Sequence, residues 1–178
     1  MKTIKAGVIG ATGYAGLELV RLLLAHPHAE VTAVSSVSYA GQAVSAVYPQ
    51  LTGLCDLTLT DDGGVIDACD VVFTSMPAGH AEPIARRCFD AGKLMIDLGA
   101  DFRLENEADY RQWYGGQYAD PALHQQAVYC IPELHRARAR GAKLIANPGC
   151  YVTSACLGLA PAVKSGAVDL KTIVIDAK

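Results

Sequence analysis

The chain has 178 residues, of which 51% are hydrophobic and 19% charged, and its formal net charge is −3. That length suits one domain, or one domain with the start of a second, and the apolar share supports a buried core. The slight negative charge and the lack of a long basic run argue against nucleic acid as the main partner, and no apolar stretch approaches the roughly 20 residues of a membrane span.

The opening MKTIKAGVIGATG carries lysines, but its apolar run leads straight into glycines with no cleavage site, so no secretory signal is expected. Ile4 to Ile9 reads as a strand, a glycine-rich turn follows, and Tyr14 to Ala25 carries leucine and valine at helical spacing. After the break at His26-Pro27-His28, Val31 to Ser35 is the next strand. These segments make one βαβ unit of about 30 residues, the length of a right-handed crossover beside a parallel sheet. Ser38 to Leu59 is less regular, a loop and short helix with a minor strand at Leu57 to Leu59. The pattern then repeats as strand Asp70 to Thr74, helix His80 to Ala91 and strand Lys93 to Leu98. Asn106 to Tyr114 is expected as a helix with an aromatic face, stopped by Gly115-Gly116. Glu133 to Arg140 reads as a short basic helix, Lys143 to Ala146 as a strand, Val152 to Val163 as a helix and Leu170 to Asp176 as a last strand.

Apolar strands alternating with helices specify an α/β fold, a doubly wound, Rossmann-like parallel sheet. A final strand with nothing to cover it marks a fragment. The expected division is a dinucleotide-binding domain over residues 1–149, then, from 150 to 178, the start of a second α/β (α+β) catalytic and dimerisation domain. Six cysteines, at 55, 69, 88, 130, 150 and 156, lack CxxC spacing and companion histidines. Five read as small buried residues of a reducing cytoplasm, and no metal site is expected.

In the run from Gly7 to Gly16, Gly10 and Gly13 fall where strand becomes helix, and Gly16 lies one turn into the helix. Positions without a β-carbon allow a tight turn and let peptide N–H groups approach a pyrophosphate at the positive end of the helix. Gly16 would let that helix pack closely on the sheet, and Gly7 reads as a packing residue within the strand. Glycines alone fit any tight βα turn, but a place at the start of a βαβ unit favours a dinucleotide. At the end of the second strand an acidic residue would take the ribose hydroxyls of NAD. Ser35-Ser36-Val37-Ser38 has none, which leaves serine hydroxyls and backbone N–H groups for the 2′-phosphate of NADP, with an ordinary polar loop as the alternative. Pro77 and Gly79 lie at the carboxyl end of the sheet, where they would shape a wall against the cofactor, and His80 starts the next helix.

Asn147-Pro148-Gly149-Cys150 carries a strand through a sharp break to a helix start. Unpaired N–H groups and the helix dipole there favour a thiolate, and also negative charge on an oxygen of a carbon bound to the sulfur. A thiolate attacks an acyl phosphate, expels phosphate and leaves a thioester able to accept hydride. The alternative is an inert small residue in a tight turn; a dinucleotide turn in the same chain favours catalysis. Cys156, mid-helix on an apolar run, is expected in the core. Asp101 and Arg103 form either an internally paired loop or, through Arg103, a fork for the substrate's phosphate.

The motifs GATGYAG at 10–16, SSVSYAG at 35–41, SMPAGHAE at 75–82, LGADFR at 98–103, YCIPELHR at 129–136 and NPGCY at 147–151 occur in that order. Together they resemble the N-acetyl-gamma-glutamyl-phosphate reductase family, relatives of the aspartate-semialdehyde dehydrogenases, over essentially the whole chain. The family's chains run well beyond this length. The resemblance implies a cytoplasmic, homo-oligomeric oxidoreductase of arginine biosynthesis that reduces N-acetyl-L-glutamyl 5-phosphate with NADPH, giving the 5-semialdehyde and phosphate through a cysteine thioester. It makes Cys150 the nucleophile. It assigns Gly10, Thr12, Gly13, Tyr14 and Gly16 to the NADP phosphate turn, Ser36 and Ser38 to the adenosine end, and Pro77 and Gly79 to the nicotinamide side. Asn147 would shape the cysteine loop, with Glu133 and Arg103 behind the site.

Two positions depart from the family pattern: Val37 stands where an arginine is usual, and Cys130-Ile131 where Gly-Leu is common. The family's acid–base histidine comes from beyond residue 178, and His26, His28, His124 and His135 are not substitutes. This chain alone is therefore expected to bind NADP with negligible turnover. Aspartyl phosphate and carrier-bound amino-adipyl phosphate are alternative substrates, and a non-catalytic NADP-binding module is the alternative for the chain by itself.

Overall fold

A computed structural model describes residues 3–177; Met1 and Lys2, which open the N-terminal run, and the final Lys178 lie outside the described residues. Among the described residues, the strands are β1 (Ile4–Ile9), β2 (Ala29–Ser35), β3 (Leu59–Thr60), β4 (Val71–Thr74), β5 (Leu94–Asp97), β6 (Ala127–Tyr129) and β7 (Leu144–Ala146). They form one sheet in the order β3-β2-β1-β4-β5-β7-β6, with every pairing parallel. The order reverses between β1 and β4, which is the switch point where such sheets open a crevice for ligands.

The helices are α1 (Tyr14–Leu24), α2 (Val44–Val47), α3 (Asp62–Ala68), α4 (Ala81–Asp90), α5 (Glu107–Tyr114), α6 (Pro121–Gln126), α7 (Pro132–Ala139) and α8 (Cys150–Lys164). On one side of the sheet Val65 and Ile66 of α3, Ile84 and Cys88 of α4 and Leu123 of α6 are buried together with Ile9, Val72, Met95 and Leu144. On the other, Val20 and Leu23 of α1 join Leu51 and Cys55 around Ala6, Val8 and Val34. Burial on both faces is why residues 6–9 of β1 read as an unbroken apolar run. Gly7 is the packing residue expected: a Cβ there would lie 2.5 Å from Val65 Cγ1 and 2.8 Å from Cys69 Sγ.

Three elements escape a reading by pattern. α3 hides behind Asp61-Asp62-Gly63-Gly64, which looks like a turn, yet Asp61 caps the helix by accepting from the Gly64 N–H at 2.8 Å. α6 runs directly into β6, a three-residue edge strand too short to show alternation. The reverse error falls at the end of the chain. Leu170–Thr172 form a 3₁₀ turn, and the residues after it follow an irregular path with Val174 89% and Ile175 59% exposed. A strand needs a neighbour for its N–H and C=O groups, and no strand of the sheet pairs with this segment. α8 starts at Cys150, two residues earlier than expected, and buries none of its residues, so Cys156 is half-exposed and not in the core. Cys55, Cys69, Cys88 and Cys130 are buried, as the sequence led us to expect. Among the described residues no helix is long and apolar enough to cross a membrane.

Candidate active site

The turn between β1 and α1 is built on two glycines that cannot be replaced without movement. Gly10 has φ +80°, and a Cβ on it would stand 2.5 Å from the Ser75 carbonyl oxygen at the end of β4. A Cβ on Gly16 would run into the Gly10 carbonyl, so Gly16 lets the helix close on the turn itself. Gly13 differs. It caps α1 at φ −77°, and the nearest atom to an added Cβ is 3.6 Å away. The backbone does not require a glycine there, and its bareness leaves the helix start open to a ligand. This is a cradle that suits a pyrophosphate, and the residues present fit a nicotinamide dinucleotide.

The turn is tied to the end of β2. The Ala11 N–H donates to the Ser35 carbonyl at 2.9 Å, the Thr12 and Ser36 hydroxyls share a 2.6 Å hydrogen bond, and the Tyr48 hydroxyl donates to the Thr12 carbonyl. Ser36 is buried, Ser38 and Val37 are exposed, and Tyr14 is fully exposed. Beside them lies a cavity of about 250 Å³ lined by Ser36, Val37, Ala40, Thr60, Asp61 and Asp62. Two acidic residues border the cavity from the neighbouring strand: Asp61 and Asp62 follow β3, and Ser35 Oγ donates to Asp62 Oδ1 at 2.6 Å. The sequence signal was the pair of aspartates just after the minor strand.

The loop after β4 packs against the turn at Gly10. Pro77 and Gly79 are exposed, and Gly79, at φ +89°, donates its N–H to Asp101 Oδ1 at 2.6 Å. Asp101 also accepts from the Ala81 N–H at 2.8 Å and the Tyr110 hydroxyl at 3.0 Å, so this buried carboxylate fixes both the loop and the start of α4. It does not pair with Arg103. His80 is the residue before α4, exposed, with Nδ1 on the Ala78 carbonyl. Beneath the loop Asp97 is fully buried at the end of β5. Its Oδ1 accepts from the Thr74 hydroxyl and the Gly99 N–H, whereas Oδ2 has no partner. Burial holds its carboxyl above the usual aspartate range.

Cys150 is exposed at the first position of α8, behind Gly149 as N-cap. The Thr153 N–H and hydroxyl both bond the Gly149 carbonyl, which fixes the first turn and leaves the earlier N–H groups free to face a ligand. The sulfur borders an open cavity of about 600 Å³ lined by Ala15, Leu98, Arg103, Asn147, Pro148, Gly149, Cys150, Thr153 and Ser154. Arg103 reaches it through hydrogen bonds to the Asn147 carbonyl (2.9 Å) and the Leu98 carbonyl (2.7 Å), and it forms no ion pair among the described residues. Asn147 Nδ2 bonds the Pro148 carbonyl, in keeping with a role in shaping the loop. Glu133 is exposed on α7 and does not line the cavity. His124 is taken up elsewhere, buried with Nε2 2.6 Å from Glu82 Oε1.

Residues 5–142 match the family described as semialdehyde dehydrogenase, NAD binding domain. The chain is 53% identical over 98% of its length to the N-acetyl-gamma-glutamyl-phosphate reductase of Moorella thermoacetica, covering 51% of that protein. With the enzyme of the same name from Clostridium beijerinckii it shares 46% identity over 98% of its length and again covers 51% of the relative. It therefore spans about half the length of these curated relatives. Its backbone resembles the aspartate semialdehyde dehydrogenase from Candida albicans solved with NADP (TM-score 0.65, 22% identity, 92% of this chain and 48% of that one). It also resembles aspartate semialdehyde dehydrogenase II from Vibrio cholerae (TM-score 0.69, 16% identity, 92% and 47%). At those identities the likeness establishes the fold. Sequence match and backbone likeness converge, and the chain belongs to the family of semialdehyde dehydrogenase NAD-binding domains.

Proposed function

We propose that this chain is the dinucleotide-binding and nucleophile-bearing part of an N-acetyl-gamma-glutamyl-phosphate reductase, which uses NADPH to make N-acetyl-L-glutamate 5-semialdehyde in arginine biosynthesis. The observation that carries the reading is the shared cavity: Ala15, in the first turn of α1 just after the glycine turn, and Cys150, at the start of α8, line the same space with Arg103. The dinucleotide-binding domain is taken as 1–149, with a catalytic and dimerisation domain starting at 150, and the full-length protein as a homo-oligomer of the cytoplasm.

In this reading the Cys150 thiolate, favoured by the helix start, bonds the acyl carbon while the bond from that carbon to the phosphate oxygen breaks, and phosphate leaves with the electron pair. Arg103, held by two carbonyls and without a carboxylate partner, offers its free N–H groups to the phosphate. N–H groups in the first turn of α8 support negative charge on the acyl oxygen. The glycine turn would hold the pyrophosphate of the dinucleotide, and the reduced cofactor would supply hydride to the thioester carbon. Cys150 then departs as thiolate and frees the aldehyde. The loop of Pro77 and Gly79, fixed by Asp101, would lie on the nicotinamide side.

The test is Cys150→Ser in the reductase. Calorimetric NADP binding should persist while acyl phosphate reduction falls at least about a thousandfold, the scale of losing a nucleophile. An undiminished rate would remove the reading.

A further inference from the structure

We infer that Asp62 is a specificity-determining residue of the dinucleotide site and that this chain accepts NAD nearly as well as NADP. The inference rests on reading the Gly10–Gly16 turn as the dinucleotide site, and it deepens that reading at the adenosine end. In this fold the adenosine ribose lies over the carboxyl end of the second strand. Here that place is the cavity of Ser36, Val37, Ala40, Thr60, Asp61 and Asp62, adjoining the turn through the Thr12–Ser36 bond and the Ala11 to Ser35 bond.

The polar groups around it do not suit a 2′-phosphate. Hydroxyls that might donate to a phosphate are already committed: Ser36 to Thr12, Ser35 to Asp62 Oδ1, and Thr60 to the Val34 and Asp61 carbonyls. Among the described residues no cation lines the cavity. Position 37 is a valine, 86% exposed, and the Arg87 guanidinium, which reaches Gly63 in α3, is not part of the lining. Two carboxylates are part of it. Asp61 Oδ1 is engaged with the Gly64 N–H, and Asp62, whose Oδ1 takes the Ser35 hydroxyl, has Oδ2 left over and no ion pair among the described residues.

A ribose hydroxyl can donate to a carboxylate oxygen, whereas a phosphate dianion is repelled by it. The Val37 and Ser38 peptide N–H groups donate to no acceptor among the described residues and remain as donors for a phosphate, which is why the two cofactors bind comparably. A reading of β2 alone misses this, because the acidic group sits on the neighbouring strand's exit and reaches across through Ser35.

The measurement is calorimetric titration of the 178-residue chain with NADP and with NAD at one fixed ionic strength. The two dissociation constants should lie within tenfold of each other, and a preference for NADP beyond tenfold overturns the inference. Asp62→Asn keeps an oxygen for the Ser35 hydroxyl but removes the charge, and it should move the ratio at least threefold towards NADP; an unchanged ratio overturns the role of Asp62. Val37→Arg, at an exposed position that leaves the core untouched, should move the ratio tenfold or more the same way, and no movement would show that the ribose lies elsewhere. Binding of NADP alone sinks only this inference, while binding of neither cofactor sinks it together with the dinucleotide reading.

Discussion

Asp97 shows what a single buried carboxyl does to this protein. Two donors, Thr74 and Gly99, serve one of its oxygens and nothing serves the other, so removal from water raises its pKa despite those bonds. The sign follows from linkage. A carboxyl that holds its proton more tightly in the native state than in the unfolded chain favours folding below the unfolded value, near 3.8, and that contribution is lost as pH rises through the raised native value. Asp97→Asn removes the ionisation and keeps an oxygen acceptor. Urea unfolding at pH 4, 5, 6 and 7 should therefore find the variant gaining on the parent as pH rises, and a difference that stays flat would mean the carboxyl ionises equally in both states. The tight glycine turn and the place of Cys150 at a helix start were legible in the sequence because they are set by immediate neighbours along the chain. Asp97, Asp101 and Asp62 were not, because each acts on a partner twenty or more residues away: Asp101 on Gly79, Asp62 on Ser35, Asp97 on Thr74.

At the scale of elements, the turn from β1 to α1 is the most tightly specified piece. Gly10 combines a left-handed backbone with a carbonyl pressed against where its side chain would be, whereas Gly53, at φ +73°, has nothing within 4 Å. Gly53→Ala thus isolates the backbone term, about 1 kcal/mol, and Gly10→Ala adds about 1–3 kcal/mol for overpacking against Ser75. Urea denaturation of the two variants should separate them by that difference, and equal losses would show that the loop after β4 gives way freely. Elements with a strong period or a glycine boundary were read within a residue or two, as for β1, α1 and α5 with its stop at Gly115. α3 and β6 were hidden, one by glycines in its first turn and the other by its length. The expected last strand failed for a different reason: Leu170 to Asp176 has the composition of a strand but no neighbour in the sheet, and pairing is a property of the fold, not of the segment.

For the molecule as a whole, the cavity beside Cys150 has a thiol but no acid–base group among its described lining residues. Among the described residues its lining holds one thiol, one guanidinium, and the amide and hydroxyls of Asn147, Thr153 and Ser154, with no histidine, carboxylate or lysine. An arginine stays protonated and cannot shuttle a proton, and a hydroxyl without a base is a poor donor to a nascent aldehyde. His124 is bound to Glu82, while His80 and His135 lie outside the lining. General acid–base groups typically contribute about 10²–10⁴ in rate. The 178-residue chain, assayed beside a full-length relative such as the Moorella thermoacetica reductase, should therefore bind dinucleotide by calorimetry yet turn over acetylglutamyl phosphate slower by about that factor. Turnover within tenfold of the relative would mean that a proton donor reaches Cys150 from within this chain, and the division of labour between 1–149 and what begins at 150 would have to be redrawn.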